Sequence, residues 1–104
     1  MPVSSVSVSE LAAVLAEDPS APLIDVRSPE EFAAGRVPGA VLMPMHTVPI
    51  RYQEIPRDAK VYLVCHSGGR SMQVAHWLDQ QGYDAVNVDG GTAAWAMSGY
   101  PVEH

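Results

Sequence analysis

A single cysteine stands in this chain of 104 residues, at position 65, and it opens the run Cys-His-Ser-Gly-Gly-Arg-Ser. The apolar residues 61–64 before it are typical of a strand, and residues 71–78 after it are typical of a helix. A thiol at such a junction faces the free backbone N–H groups of the helix start. These groups stabilise a thiolate, so Cys65 is a candidate nucleophile beside a candidate anion site.

The residues after this cysteine supply what a reactive thiolate needs. At neutral pH an ordinary cysteine is only about 3% thiolate, and making the thiolate the majority form takes about 2.7 kcal/mol of selective stabilisation. Gly68 and Gly69 allow successive N–H groups to turn inward as an anion-binding nest. Arg70 adds a positive charge, and Ser71 is expected both to cap the helix and to donate its hydroxyl into the nest. A buried, unreactive cysteine is the alternative interpretation, and it leaves the glycine pair and the arginine unexplained.

The elements that position this loop alternate between strand and helix, which predicts an α/β fold with a five-stranded, mainly parallel sheet and helices on both faces. We predict strands over residues 5–6, 22–27, 40–43, 60–64 and 84–88. Two capping boxes, at residues 7–10 and 28–31, predict the first two helices. We expect another helix after the Cys65 loop, ending at residue 81, and a last helix with Thr92 as N-cap. Residues 44–59 fit a loop with one helical turn, and residues 1–104 are expected to form one domain.

The charge distribution bears on possible partners. The net charge of −6 argues against nucleic acid and anionic membranes. Residues 36–71, however, carry five basic side chains against two acidic ones, a local +3, while the rest of the chain carries −9. Two explanations stay open: an ordinary solvated surface, or a positive field that attracts a small anion to Cys65.

The cysteine and histidine content limits the other possibilities. One cysteine excludes an intramolecular disulfide, and no signal peptide or membrane-spanning run is evident, so we expect a soluble, cytoplasmic protein. The histidines lack metal-ligand spacing, so no metal and no cofactor is predicted.

Four stretches of the chain resemble single-domain rhodaneses, which are sulfurtransferases: residues 23–45, 61–71, 81–91 and 94–102. The family's catalytic cysteine corresponds to Cys65. Its six-residue active loop corresponds to Cys65, His66, Ser67, Gly68, Gly69 and Arg70. The resemblance implies that the Cys65 thiolate takes the outer sulfur of a small anionic donor such as thiosulfate and becomes a persulfide. The persulfide then passes its sulfur to cyanide or a thiol, while the loop N–H groups stabilise the anionic terminal sulfur.

Other functions are weighed against this one. Phosphatases and arsenate reductases on a similar fold have five residues between cysteine and arginine, whereas four lie between Cys65 and Arg70. The shorter loop makes a narrower cradle, suited to one sulfur rather than a phosphate. A persulfide-carrying module for a sulfur-acceptor protein is another hypothesis, motivated by Ser67 and by a loop without lysine. A redox-sensing thiol is the last.

Two residues outside the loop are expected to support it. Asp25, at the end of the second strand, is expected to hold the loop. The structural alternative is internal pairing, of Arg27 with Glu31 or of Asp25 with loop N–H groups. Arg36 stands where the family often has histidine, and it is expected to add positive charge near the mouth or to be a surface exchange. Because Arg70 is the sole cation of the loop, it is open whether thiosulfate is the physiological donor.

Overall fold

The sheet of this protein has five strands, all parallel, in the order β1-β5-β4-β2-β3. The computed structural model describes residues 3–104. The strands are β1 (Ser4–Val6), β2 (Leu23–Asp25), β3 (Val41–Leu42), β4 (Lys60–Val64) and β5 (Asp84–Val88). The helices are α1 (Val8–Glu17), α2 (Pro29–Ala34), α3 (Val48–Arg51), α4 (Gly69–Gln80) and α5 (Gly91–Met97), with 3-10 turns at Met45–Thr47 and Tyr52–Glu54. The predicted α/β fold with a parallel sheet is confirmed.

Strand β4 forms the centre of the sheet, between β5 and β2. Its side chains alternate between the two faces, as the pleat of a strand requires. Val61 and Leu63 pack in the cluster that contains α4, whereas Tyr62 and Val64 pack in the cluster that contains α1 and Trp95 of α5. Helices therefore cover both faces. Cys65 continues the α4 side, so the central strand delivers the thiol at its carboxyl end, where open α/β sheets carry their sites.

The capping boxes formed as predicted. The Ser7 and Ser28 hydroxyls each accept the N3 backbone N–H, and Glu10 and Glu31 each accept the cap backbone N–H in return. Helix α2 begins at its predicted capping box, although the helix is short and buries none of its side chains completely. Local sequence is sufficient here because both partners of a capping box lie within one turn.

Two N-cap predictions were wrong. The N-caps of α4 and α5 are Gly68, with φ of 113°, and Gly90, with φ of 81°, rather than Ser71 and Thr92. Glycine occupies both positions because the left-handed backbone costs it little. The hydroxyls of Ser71 and Thr92 are thereby released for contacts within the site.

Strands β2 and β3 are shorter than predicted, and residues 45–54 contain a short helix between two 3-10 turns rather than one helical turn. None of the helices within residues 3–104 combines the length and apolarity needed to cross a bilayer.

Candidate active site

Cys65 lies directly after β4, and its residue is 1% exposed. Its Sγ accepts the Gly68 N–H at 3.1 Å and the Ser71 hydroxyl at 3.3 Å. Burial raises the pKa of the Cys65 thiol, but hydrogen bonds from the Ser71 hydroxyl and from the backbone N–H groups of Ser71, Gly68 and Ser67 outweigh burial. The net effect lowers the pKa below its ordinary value. The loop therefore surrounds the sulfur with donors that favour its anion.

Helix α5 fixes the loop from the other side. The Thr92 N–H and hydroxyl donate to the Cys65 carbonyl at 2.9 and 3.0 Å, and the Ala93 N–H donates to the His66 carbonyl at 3.0 Å. Because the Cys65 and His66 carbonyls point to α5, the backbone N–H groups of Ser67 and Gly68 can face the sulfur. Sequence reasoning missed this role of Thr92. The signal available was Gly91, because close approach of two backbones requires glycine.

A second missed residue is Asn87, which is buried within β5. Its Oδ1 accepts the Ser71 hydroxyl at 2.6 Å, and its Nδ2 donates to Asp89 at 3.0 Å. The Asp89 contact orients the amide, so the carbonyl oxygen faces Ser71. Since a hydroxyl has one proton, Asn87, the Gly68 carbonyl and the Cys65 sulfur compete for it. The signal in the sequence was a polar residue within the otherwise apolar run 85–88.

We expect Ser71→Ala to raise the pKa of the Cys65 thiol, by up to about one unit, because one hydrogen bond to the thiolate is lost. The pH dependence of iodoacetamide alkylation measures this directly, since the chain has one cysteine. The alkylation midpoint then shifts to higher pH than in the wild type.

Ser67→Ala is the matched control for that experiment. Ser67 acts on the sulfur through its backbone N–H, which the substitution keeps. An unchanged midpoint in Ser71→Ala, or an equal shift in Ser67→Ala, would contradict the role given to the Ser71 hydroxyl.

Arg70 does not turn its guanidinium to the sulfur but to a carboxylate of α2. It donates to both oxygens of Glu31, at 2.8 and 2.9 Å. The Arg70 hydrogen bonds are the largest of the effects that lower the pKa of Glu31 to about 2. The only cation of the loop is therefore already engaged, and the expected contribution of Arg70 to the thiolate is reduced to a distant one.

Asp25 is completely buried and pairs with Arg27. Its carboxylate accepts the Arg27 backbone N–H and the guanidinium, the shortest contact being 2.7 Å, and Arg27 also donates to the Gly35 carbonyl at 2.8 Å. The alternative that pairs Arg27 with Glu31 was wrong, because Arg27 binds Asp25 and Glu31 binds Arg70. The hydrogen bonds of Asp25 go to Arg27 rather than to the N–H groups of the active loop.

Arg36 and the other basic residues of the 36–71 segment are dispersed. Arg36 lies over the Phe32 ring at 4.6 Å, and its backbone pairs with Glu103. Lys60 faces Asp84 at the start of β4, the opposite end from Cys65. The hypothesis of a positive field gathered at the thiol is therefore not supported, because tertiary contacts give these cations other partners.

A groove of about 580 Å³ lies beside the active loop. Its polar lining consists of His66, Thr92, Arg27, Glu31 and His104. Its apolar lining consists of Ala34, Ala93, Ala96 and Val102. A smaller depression of about 180 Å³ is lined by Arg27, Arg70 and His46 among others. Among residues 3–104, no cluster of three or more His, Cys, Asp or Glu side chains is arranged to hold a metal ion.

Comparison with known proteins agrees with this arrangement. The model of the family described as "Rhodanese-like domain" matches residues 7–98. The chain is 44% identical over 101 residues to a protein named "Sulfurtransferase" from Allochromatium vinosum, covering 96% of this chain and 94% of that protein. It superposes on a rhodanese-like domain protein from Staphylococcus aureus with a TM-score of 0.87 at 37% identity, covering 98% of this chain and all of that one (100%). A rhodanese-related protein from Thermoplasma volcanium gives a TM-score of 0.89 at 28% identity, covering 96% and 97% of the two chains. The central parallel strand of this protein ends in a cysteine whose sulfur accepts hydrogen bonds from the following loop. This arrangement and the matches show that the chain belongs to the rhodanese-like domain family.

Proposed function

We propose that this chain is a sulfurtransferase that carries sulfane sulfur on Cys65. The Cys65 thiolate attacks the outer sulfur of a donor such as thiosulfate, a new S–S bond forms, and the donor's S–S bond breaks. Sulfite leaves with the electron pair. Cyanide or a thiolate then attacks the terminal sulfur, Cys65 leaves as thiolate, and the product is thiocyanate or a new persulfide.

The observation that carries this proposal is the set of donors around Sγ. The N–H groups of Ser67, Gly68 and Ser71 all favour a negative charge at the end of the Cys65 side chain. The same groups would stabilise the thiolate before transfer and the terminal sulfur of the persulfide afterwards. Nearby Arg70, His66 and Gly69 complete the loop that the donor has to enter.

Intact-mass measurement tests the proposal. We expect the protein to gain one sulfur atom on Cys65 after incubation with thiosulfate or another sulfane-sulfur donor, and to lose it on addition of cyanide. The proposal fails if no such donor adds sulfur to the folded protein. Hydrolysis of an aryl phosphate that is lost in Cys65→Ser would favour the phosphatase alternative instead.

A second candidate is a module that holds a persulfide for one partner protein. The Arg70 and Glu31 pair favours it, because a small anionic donor then finds the loop's cation already bound. Rapid turnover between a small donor and cyanide by the isolated chain would count against this candidate. We propose a cytoplasmic location for either candidate, because a lone nucleophilic thiol stays reduced most readily in a reducing compartment.

A further inference from the structure

We propose that Glu31 is a specificity-determining residue that disfavours doubly charged donors and leaves the site suited to singly charged donors with an organic group. This inference rests on the proposed sulfur transfer and deepens it. Its basis is the contact between Glu31 and Arg70, which occupies the only guanidinium of the active loop with a carboxylate of the protein.

The Glu31 carboxylate binds the Arg70 guanidinium as an anionic ligand would. Arg70 binds both oxygens of Glu31 in a two-fold contact, at 2.8 and 2.9 Å, which is the geometry with which arginine recognises oxyanions. The sulfonate oxygens of thiosulfate would need the same donors. A doubly charged donor therefore has to compete with a carboxylate that belongs to the protein.

Glu31 is also held in place from its own helix. Its Oε1 accepts the Ser28 N–H and hydroxyl, both at 3.2 Å, as part of the capping box of α2. With its pKa lowered to about 2, the carboxylate is charged throughout the physiological range. Displacing Glu31 thus costs helix-cap contacts as well as the ion pair.

Among residues 3–104, the only other arginine or lysine that lines the groove or the depression is Arg27. Arg27 is itself bound to the buried Asp25 at 2.7 Å. These two arginines and two carboxylates cancel, and the Cys65 thiolate adds one negative charge. A dianion therefore meets a mouth that is neutral or negative, and each additional charge on the donor is unfavourable.

The groove beside Glu31 has an apolar wall, in contrast to the charged surroundings of Arg70. Ala93, Ala96 and Val102 form an apolar wall within a volume of about 580 Å³, next to His66 of the active loop. An organic group on the donor can bury apolar surface there, which a sulfonate oxygen cannot do. The charge near Arg70 and the apolar wall of the groove therefore both favour singly charged donors with an organic group.

The reaction with such a donor is balanced. With benzenethiosulfonate, the Cys65 thiolate attacks the terminal sulfur, and the new S–S bond forms as the old one breaks. Benzenesulfinate leaves with the electron pair, and Cys65 carries the persulfide anion. Thiosulfate differs from this probe in having an additional negative charge and no phenyl ring.

The test compares kcat/KM for thiosulfate and benzenethiosulfonate, with cyanide as acceptor, in the wild type, Glu31→Gln and Glu30→Gln. Gln keeps the capping box while removing the charge, so the fold is preserved. Glu30 is an exposed neighbour whose substitution changes the net charge equally, and the carboxylate bound to Arg70 is that of Glu31, which makes Glu30 the matched control. We expect Glu31→Gln to raise kcat/KM for thiosulfate about tenfold and to change the value for benzenethiosulfonate less than about threefold. Glu30→Gln should leave the ratio between the two donors unchanged.

Several outcomes would overturn the inference. An equal gain for both donors would show that Glu31 acts on the thiolate rather than on donor choice. An equal effect of Glu30→Gln would show that the change comes from the overall charge of the protein rather than from the Arg70 contact. No gain for either donor in Glu31→Gln would remove the role altogether. All three results require sulfur loading of Cys65, so they are distinct from failure of the proposed function, in which no donor loads the wild type.

Discussion

Cys65→Ser is expected to reduce sulfur transfer by about 10⁴-fold or more, to the background rate, because no other thiol in the chain can form the persulfide. Serine keeps an acceptor close to the Gly68 N–H, which donates to Sγ at 3.1 Å in the wild type. Its hydroxyl, however, does not ionise near neutral pH and does not accept sulfane sulfur. Steady-state rates with cyanide, followed as thiocyanate formation, measure the loss.

The stability of this variant separates chemistry from folding. Serine can still accept the loop N–H groups, so the free energy of unfolding should fall by less than in Cys65→Ala. Alanine leaves the buried N–H donors without a partner, which costs about 1–3 kcal/mol for each unsatisfied group. Urea unfolding of both variants checks the order. Retained transfer activity in a folded Cys65→Ser protein would contradict the assignment of the nucleophile.

Gly91→Ala is expected to destabilise the protein by about 3 kcal/mol or more, because it combines backbone strain with a collision. Gly91 has a φ of 60°, and an added Cβ would lie 2.5 Å from the Cys65 carbonyl oxygen and 2.6 Å from that of His66. These are backbone atoms that cannot turn aside. Relief of the collision has to separate α5 from the loop, and the hydrogen bonds of Thr92 and Ala93 weaken with it.

Gly99→Ala provides the control for that experiment. Gly99 has a comparable φ of 82°, but an added Cβ would meet nothing within 4 Å. It should therefore show the conformational cost alone, about 1–2 kcal/mol. Urea unfolding measures both variants, and sulfur transfer should fall in Gly91→Ala as the loop carbonyls shift. Equal destabilisation of the two variants would show that contact between α5 and the loop is unimportant.

The local predictions succeeded where the interacting groups are neighbours in the chain. The capping boxes of α1 and α2 and the strands β4 and β5 are as predicted, because each depends on contacts within one turn or on a continuous apolar run. The helix starts after glycine were harder to predict. Ser71 and Thr92 are good caps in isolation, but a glycine nearby could adopt the left-handed backbone that brings two segments together.

The partners of charged residues could not be predicted, because ion pairs join residues that are distant in the chain. Arg70 and Glu31 are separated by 39 positions, and their contact exists only because the start of α4 faces α2 across the end of the sheet. A count of basic residues over 36–71 carries no information on where each carboxylate will lie. The same limit applies to Asn87, whose contact with Ser71 crosses from β5 to α4.

The sequence by itself determined the fold class and the position of the candidate nucleophile, since a strand, a cysteine, a glycine pair and a helix follow one another within residues 60–80. The tertiary structure decided which hydrogen-bond donors and which charged partners surround the Cys65 sulfur. Long-range packing bound the loop carbonyls to α5 and turned the N–H groups toward the sulfur. It also engaged Arg70 with Glu31, because bringing opposite charges together across the fold is favourable only after the backbone has placed them side by side.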